Sequence, residues 1–214
     1  MFLILGPTLN LLASFFWGPD SQGVTAGTLV ALSCFCWLVG LIGLYDRLRA
    51  TAPRYVAVAL PVTVFATVGG VAFGVQSIHE GLFGVSHAQT IELLNQYPFA
   101  TTLFWIAGPL FPLTLFALGV VLGWTRTAPP AVGVLLCLGA IAFPMSRITR
   151  EVSIAHVADV LLLLPFLYLG VREWGPWGRS RGSASPVAGD VPAVTPPAAD
   201  RKPDSHASTA PRVP

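Results

Sequence analysis

Apolar stretches close to bilayer length recur along the chain, and arginines gather in several of the short links between them. A helix needs about 20 apolar residues to cross ~30 Å of hydrocarbon at ~1.5 Å per residue. Of 214 residues, 54% are hydrophobic and only 10% are charged, against about 25% charged in ordinary soluble domains. Within hydrocarbon each backbone N–H and C=O needs a partner in its own segment, so the chain is expected to be all-α. The expectation is a polytopic membrane helical bundle of about six transmembrane helices.

The six segments read as Met1 to Trp17, Val24 to Tyr45, Tyr55 to about Ile78, Phe99 to Trp124, Ala131 to about Met145, and Val152 to Val171. Gly6-Pro7 and Asn10 interrupt the first. It lacks the basic start and small-residue cleavage site of a signal peptide, so it reads as a retained helix. After Trp177 the sequence turns to Pro, Ala, Ser and charge, with too little apolar surface to offset the entropy of ordering. Residues 1–177 are therefore expected to form the bundle, and 178–214 a disordered cytoplasmic tail.

Arg47, Arg49, Arg54, Arg126, Arg172, Arg179 and Arg181 fall on one side of a six-crossing chain. By the positive-inside rule that side is the cytoplasm, with both termini inside a multi-pass protein of the cell membrane. Trp124, Trp174 and Trp177 would mark the inner interface, and Trp17 and Tyr97 the outer one. The longest polar link, His79 to Pro98, lacks Lys and Arg and falls outside. The net charge of +2 points to no nucleic-acid partner, because the basic residues flank apolar blocks.

Against this pattern the outer end collects polar groups: Asp20, His79, Glu80, His87, Glu92, Arg147, Arg150, Glu151, His156 and Asp159. Asp159 stands inside the run VSIAHVADVLLLLPFLYLGV, where an ionised carboxylate costs at least ~2.5–3.5 kcal/mol. His156 lies on the same helical face, three residues earlier. On a straight helix Asp159 would sit ~13 Å deeper than Arg150. Such asymmetry suits a cavity that opens on one face.

Each residue also has a plainer role. Arg150 and Glu151 could flank the last helix, Arg147 and Glu151 could pair along it, and Asp159 could be held by His156 or Arg150. His79 and Glu80 could be ordinary interfacial residues. Asn10 reads as a hydrogen-bonding link between helices. Cys34, Cys36 and Cys137 read as small buried thiols. Small residues at Ala66, Gly70 and Gly74, and at Gly119 and Gly123, suit close helix packing. Pro61, Pro109, Pro112, Pro144 and Pro165 would kink helices or widen a central space.

Zinc-protease, phosphate-loop and nucleophile-elbow motifs are absent, as are the paired acids that hold magnesium on a diphosphate. A haem pair of His156 with His79 or His87 is one conceivable arrangement. No metal and no cofactor is expected. An acid kept protonated by apolar surroundings can protonate an olefin or epoxide. Faces such as those of Phe73, Phe83, Phe104, Trp105, Phe111 and Phe143 can stabilise the resulting carbocation.

In size, helix count and the acids Glu80 of S-I-H-E-G and Asp159 of I-A-H-V-A-D-V, the chain resembles the small integral-membrane terpene cyclases. These serve fungal meroterpenoid and actinobacterial indole-sesquiterpenoid pathways. The likeness covers the architecture of residues 1 to 175, and the fungal members have one further helix. It implies acid-initiated cyclisation of an isoprenoid or prenylated small molecule in the bilayer. Asp159, Glu80 and His156 would then be catalytic, and Arg147, Arg150, Trp105, Phe104 and Phe83 would bind substrate. A pathway prenyltransferase would supply the hydrophobic, isoprenoid-like substrate. The alternative is a non-enzymatic small transporter or accessory membrane protein, in which Asp159 and His156 relay protons or hold helices together.

Overall fold

A computed structural model of the chain describes residues 1–18 and 21–174, apart from the side chains of residues 101–103, 173 and 174. Asp20, the side chain of Trp174, and the expected tail with Trp177, Arg179 and Arg181 lie outside the described residues. The described residues are all-helical. The helices are α1 (Phe2–Ser14), α2 (Gly23–Leu48), α3 (Pro53–Phe83), α4 (His87–Asn95), α5 (Pro98–Trp124), α6 (Pro130–Thr149) and α7 (Val152–Trp174). Five of them, α2, α3, α5, α6 and α7, are long and apolar enough to cross a membrane, and the fold is a helical membrane bundle.

The six long-axis helices close into a ring. Each packs against two neighbours, in the order α1, α2, α3, α5, α6, α7 and back to α1. Neighbours run antiparallel, as their pairings show. On α1 and α2, Leu3 lies against Gly40 and Gly6 against Trp37. On α2 and α3, Gly27 meets Gly74 and Tyr45 bonds Thr63. Between α5 and α6, Gly119 meets Gly133, and between α7 and α1, Gly170 meets Ile4. The helix ends therefore gather at two faces. One holds the α2–α3 and α5–α6 links with Arg47, Arg49, Arg54 and Arg126. The other holds α4, the end of α3, and the α6–α7 link with Arg147 and Arg150.

Glycine rows make this closeness. A Cβ on Gly27 would come within 2.6 Å of the Gly74 carbonyl oxygen, and one on Gly119 within 2.8 Å of the Gly133 carbonyl oxygen. The expected small-residue packing at Gly74 and Gly119 is thus seen. Toward the arginine-bearing face the ring is filled by Leu41, Leu44, Tyr45, Leu115, Leu118, Leu122, Leu136 and Phe166. Trp37 caps this core, edge-on to Phe111 at 5.3 Å and to Phe166 at 4.5 Å between ring centroids.

Three local features differ from the sequence expectation. Helix α1 ends at Ser14 and contains Gly6-Pro7. At 13 residues it is about 20 Å long, short of a ~30 Å hydrocarbon layer. The polar link after His79 is largely helical. Helix α3 continues to Phe83, Gly84 ends it in a left-handed conformation (φ 64°), and Ser86 and Gln89 form a capping box that starts α4. Finally, Arg150 and Asp159 do not lie on one straight helix. Arg150 takes a left-handed conformation (φ 56°) that ends α6. Asp159 is therefore placed by α7 alone, seven residues or about 10 Å past Val152, and Arg147 and Glu151 do not share a helix face.

Candidate functional site

Above the Trp37 floor the ring opens into a space that reaches out to exposed residues of α5 and α6, among them Trp105, Leu113, Ile141 and Ile148. A cavity of about 850 Å³ reaches from there to the polar face, with walls from every helix except α7. On α6 the stripe of Ala140, Phe143, Arg147 and Arg150 faces it, and that stretch is about 15 Å long. On α5, Phe104, Trp105, Gly108, Phe111 and Phe116 line it, and on α3, Gly69, Gly70 and Phe73. Pro109, Pro112 and Pro144 also line it, where their missing N–H groups loosen the helix ladder beside the open space. The wall is mostly apolar and aromatic. Its polar contributors are Asn10, Gln22, Ser33, His87, Arg147 and Arg150.

Two buried carboxylates stand behind this wall, on opposite sides. Asp159, 2% exposed, is absent from the lining. Its Oδ1 accepts a hydrogen bond from Asn10 Nδ2 at 2.6 Å, and Asn10 Oδ1 accepts one from Arg147 Nη2 at 3.5 Å. An α1 amide thus joins an α7 acid to an α6 guanidinium. The guanidinium carbon lies 4.5 Å over the Trp17 ring and 4.8 Å over the Phe143 ring, a double cation–π contact. Trp17 therefore lines the cavity at its polar end and packs against Arg147.

Glu80, 3% exposed, is the second acid. Its Oε1 accepts from Gln76 Nε2 at 2.7 Å and lies 2.9 Å from His87 Nδ1. The α4 capping box sets His87 at the first turn, where its ring meets the edge of Phe73 at 6.1 Å. Phe73 in turn meets Phe104 at 6.3 Å. With Nδ1 held by Glu80, the Nε2 nitrogen of His87 is the one left for a molecule in the cavity. A histidine backed by a carboxylate is a group that can donate or accept a proton.

Of the sequence candidates, Arg147, Arg150, Phe104 and Trp105 come together on the cavity wall. Phe83 does not, being 75% exposed and turned toward His79. His156 stacks on Phe15 at 4.3 Å, on the α1–α7 side and outside the lining. Glu80 and Asp159 reach the cavity only through His87 and Asn10. From the sequence His87 had a role only as a conceivable haem partner of His156, which the structure places on the α1–α7 side, outside the cavity lining. The Ser86-x-x-Gln89 signature, which opens a helix three residues after Gly84, would have placed it. The three cysteines are unpaired, with Cys34 and Cys36 buried. Among the described residues no three His, Cys, Asp or Glu side chains meet as a metal-binding group.

Fold and site together define a helical membrane bundle with a largely apolar, aromatic-lined cavity. Compared with known protein families, curated proteins and solved structures, the chain finds no match in any of the three.

Proposed function

We propose that the protein is a membrane-embedded cyclase of an isoprenoid or prenylated small molecule, working by protonation and carbocation cyclisation. One observation carries the reading: an aromatic cavity of about 850 Å³ at the polar end of the bundle has a histidine–carboxylate pair opening on it. That volume is within the ~300–1,000 Å³ of small-molecule sites. His87, held by Glu80, donates a proton to an olefin carbon or epoxide oxygen. The olefin π electrons form the new C–H bond, or the epoxide C–O bond breaks, and a cation is left on carbon. A second double bond then supplies the electrons for ring closure. Loss of a proton to a base restores neutrality, so the product is an isomer of the substrate. Phe73, Phe104, Trp105, Phe111 and Phe143 offer π faces to the cation. Asp159 acts at one remove, as a positioning residue that holds Asn10 and through it Arg147.

The arginine-rich face lies in the cytoplasm of the cell membrane on this reading, so the cavity opens outward. A hydrophobic substrate, supplied by a prenyltransferase of the same pathway, enters from the bilayer. The test is expression in a host that makes prenylated aromatics, followed by mass spectrometry of extracts. New products of unchanged mass that vanish in His87→Gln support the proposal. Unchanged extracts from well-inserted wild-type protein would overturn it. They would favour a non-enzymatic binder or transporter, for which the closed Asn10–Asp159–Arg147 link is an apt helix clamp.

A further inference from the structure

The charges on the cavity wall have one sign. Arg147 in the last turn of α6 and Arg150, the residue that ends it, line the cavity at the polar end, while no Asp or Glu does. The acids of this face are set behind it, Asp159 behind Asn10 and Glu80 behind His87. Arg150 has no ion-pair partner among the described residues. Two donors at this end also lack acceptors: Arg147 Nη1 and Trp17 Nε1 are buried and make no hydrogen bond among the described residues. Both belong to lining residues. Buried donors without partners are rare, and each calls for an acceptor. Below them the cavity turns mostly apolar, down to Trp37 and Ala66, with the Ser33 hydroxyl already engaged by the Gly6 carbonyl oxygen.

We infer that the molecule held in this cavity is an amphiphile with an anionic oxygen head, a carboxylate or phosphate, seated at Arg147 and Arg150. Its single apolar tail lies along α5 toward Trp37. The inference rests on the cavity being the substrate chamber, and it names the substrate class. Arginine suits such a head, because its planar fork donates two parallel hydrogen bonds to carboxylate or phosphate oxygens. The tail length follows from the walls. Phe104 to Phe111, which meets Trp37 at the floor, is about 10 Å of helix, and the apolar lining continues past it to Leu113 and Phe116.

The test is ligand binding, which needs no turnover. Full-length protein in a neutral maltoside detergent is titrated with farnesol, farnesoic acid and farnesyl phosphate, which share one tail. Quenching of tryptophan emission reports occupancy, since Trp17, Trp37 and Trp105 line the cavity. The acid or the phosphate is expected to bind about tenfold or more tightly than the alcohol, the scale of a hydrogen bond to a charged group. Arg150→Asn, which suits the left-handed backbone there, should shrink that preference, and Arg150→Lys, which keeps the charge but not the fork, should retain part of it. The ratio of acid to phosphate identifies the head. Competition by phosphatidylglycerol but not phosphatidylcholine would show that a lipid headgroup supplies it. If farnesol binds as tightly as both anions, the anionic head is overturned and the chamber stands. If none of the three quenches, the chamber reading falls as well.

Discussion

Asn10 of α1 donates a 2.6 Å hydrogen bond to Asp159 of α7 and accepts one from Arg147 of α6, so one amide ties three helices. The sequence order hides this link, for 149 positions separate the two residues along the chain. It also explains how a carboxylate is tolerated at this depth. The acid faces protein, with an amide donor in contact and a guanidinium one residue further on.

Removing the amide should therefore destabilise more than an ordinary interhelical hydrogen bond, whose contribution averages only ~0.6 kcal/mol in membranes. Asn10→Ala leaves Asp159 Oδ1 without its donor and Arg147 without its acceptor. The expected loss is about 1–3 kcal/mol, the cost of stranding a buried polar group. Thermal unfolding in detergent measures it. A melting temperature equal to the wild type would show that the link carries no stability.

Helix α2 meets α3 where two glycines face each other. A methyl group on Gly74 would lie 2.8 Å from the Gly27 carbonyl oxygen and 2.9 Å from the Ala31 nitrogen, both backbone atoms. Gly74→Ala should force the helices apart and cost about 1–3 kcal/mol. Gly43, also in α2, has open space beside it, so Gly43→Ala should instead gain up to ~1 kcal/mol from helix propensity. The paired melts separate close packing from backbone entropy, and the same sign for both would refute this account of the interface.

How legible was all this in the sequence? Apolar block length gave the long helices, since hydrocarbon thickness fixes it. Small residues at Gly74 and Gly119 showed where backbones approach, whereas Gly70 faces the Cys34 sulfur and Gly123 open space, and Asn10 read as the interhelical link it is. Which side of a helix faces inward was not legible. In a bilayer both the lipid-facing and core-facing sides are apolar, so the 3.6-residue pattern that marks a soluble helix fades. Asp159 and Phe104 could equally have faced one cavity, yet only Phe104 does. Helix α4 was missed for the opposite reason. It is polar and short, none of its residues is fully buried, and only its capping box announced it.

Sidedness can be read with cysteine labelling. On a background lacking Cys34, Cys36 and Cys137, Glu92→Cys on α4 should react with a membrane-impermeant maleimide in intact cells. Arg126→Cys, at the opposite face of the bundle, should react only after lysis. Both expectations follow from the arginines of the α2–α3 and α5–α6 links. The reverse pattern would turn the protein over and open its cavity to the cytoplasm.

The acids can be told apart by function. His87 and Glu80 stand 2.9 Å apart at the cavity edge, whereas Asp159 reaches the cavity through Asn10. Glu80→Gln keeps the shape of the side chain and removes the charge that holds His87, so turnover should fall about 10²-fold, the scale of a general-acid contribution. His87→Gln should fall at least as far. Asp159→Asn keeps an acceptor for Asn10 but removes the negative charge near Arg147. It should lower the yield of inserted protein more than turnover per molecule. The measurement is product formed per unit of inserted protein for all three variants in parallel. Loss of turnover in Asp159→Asn alone would move the acid to α7 and leave the His87–Glu80 pair as a structural clasp for α4.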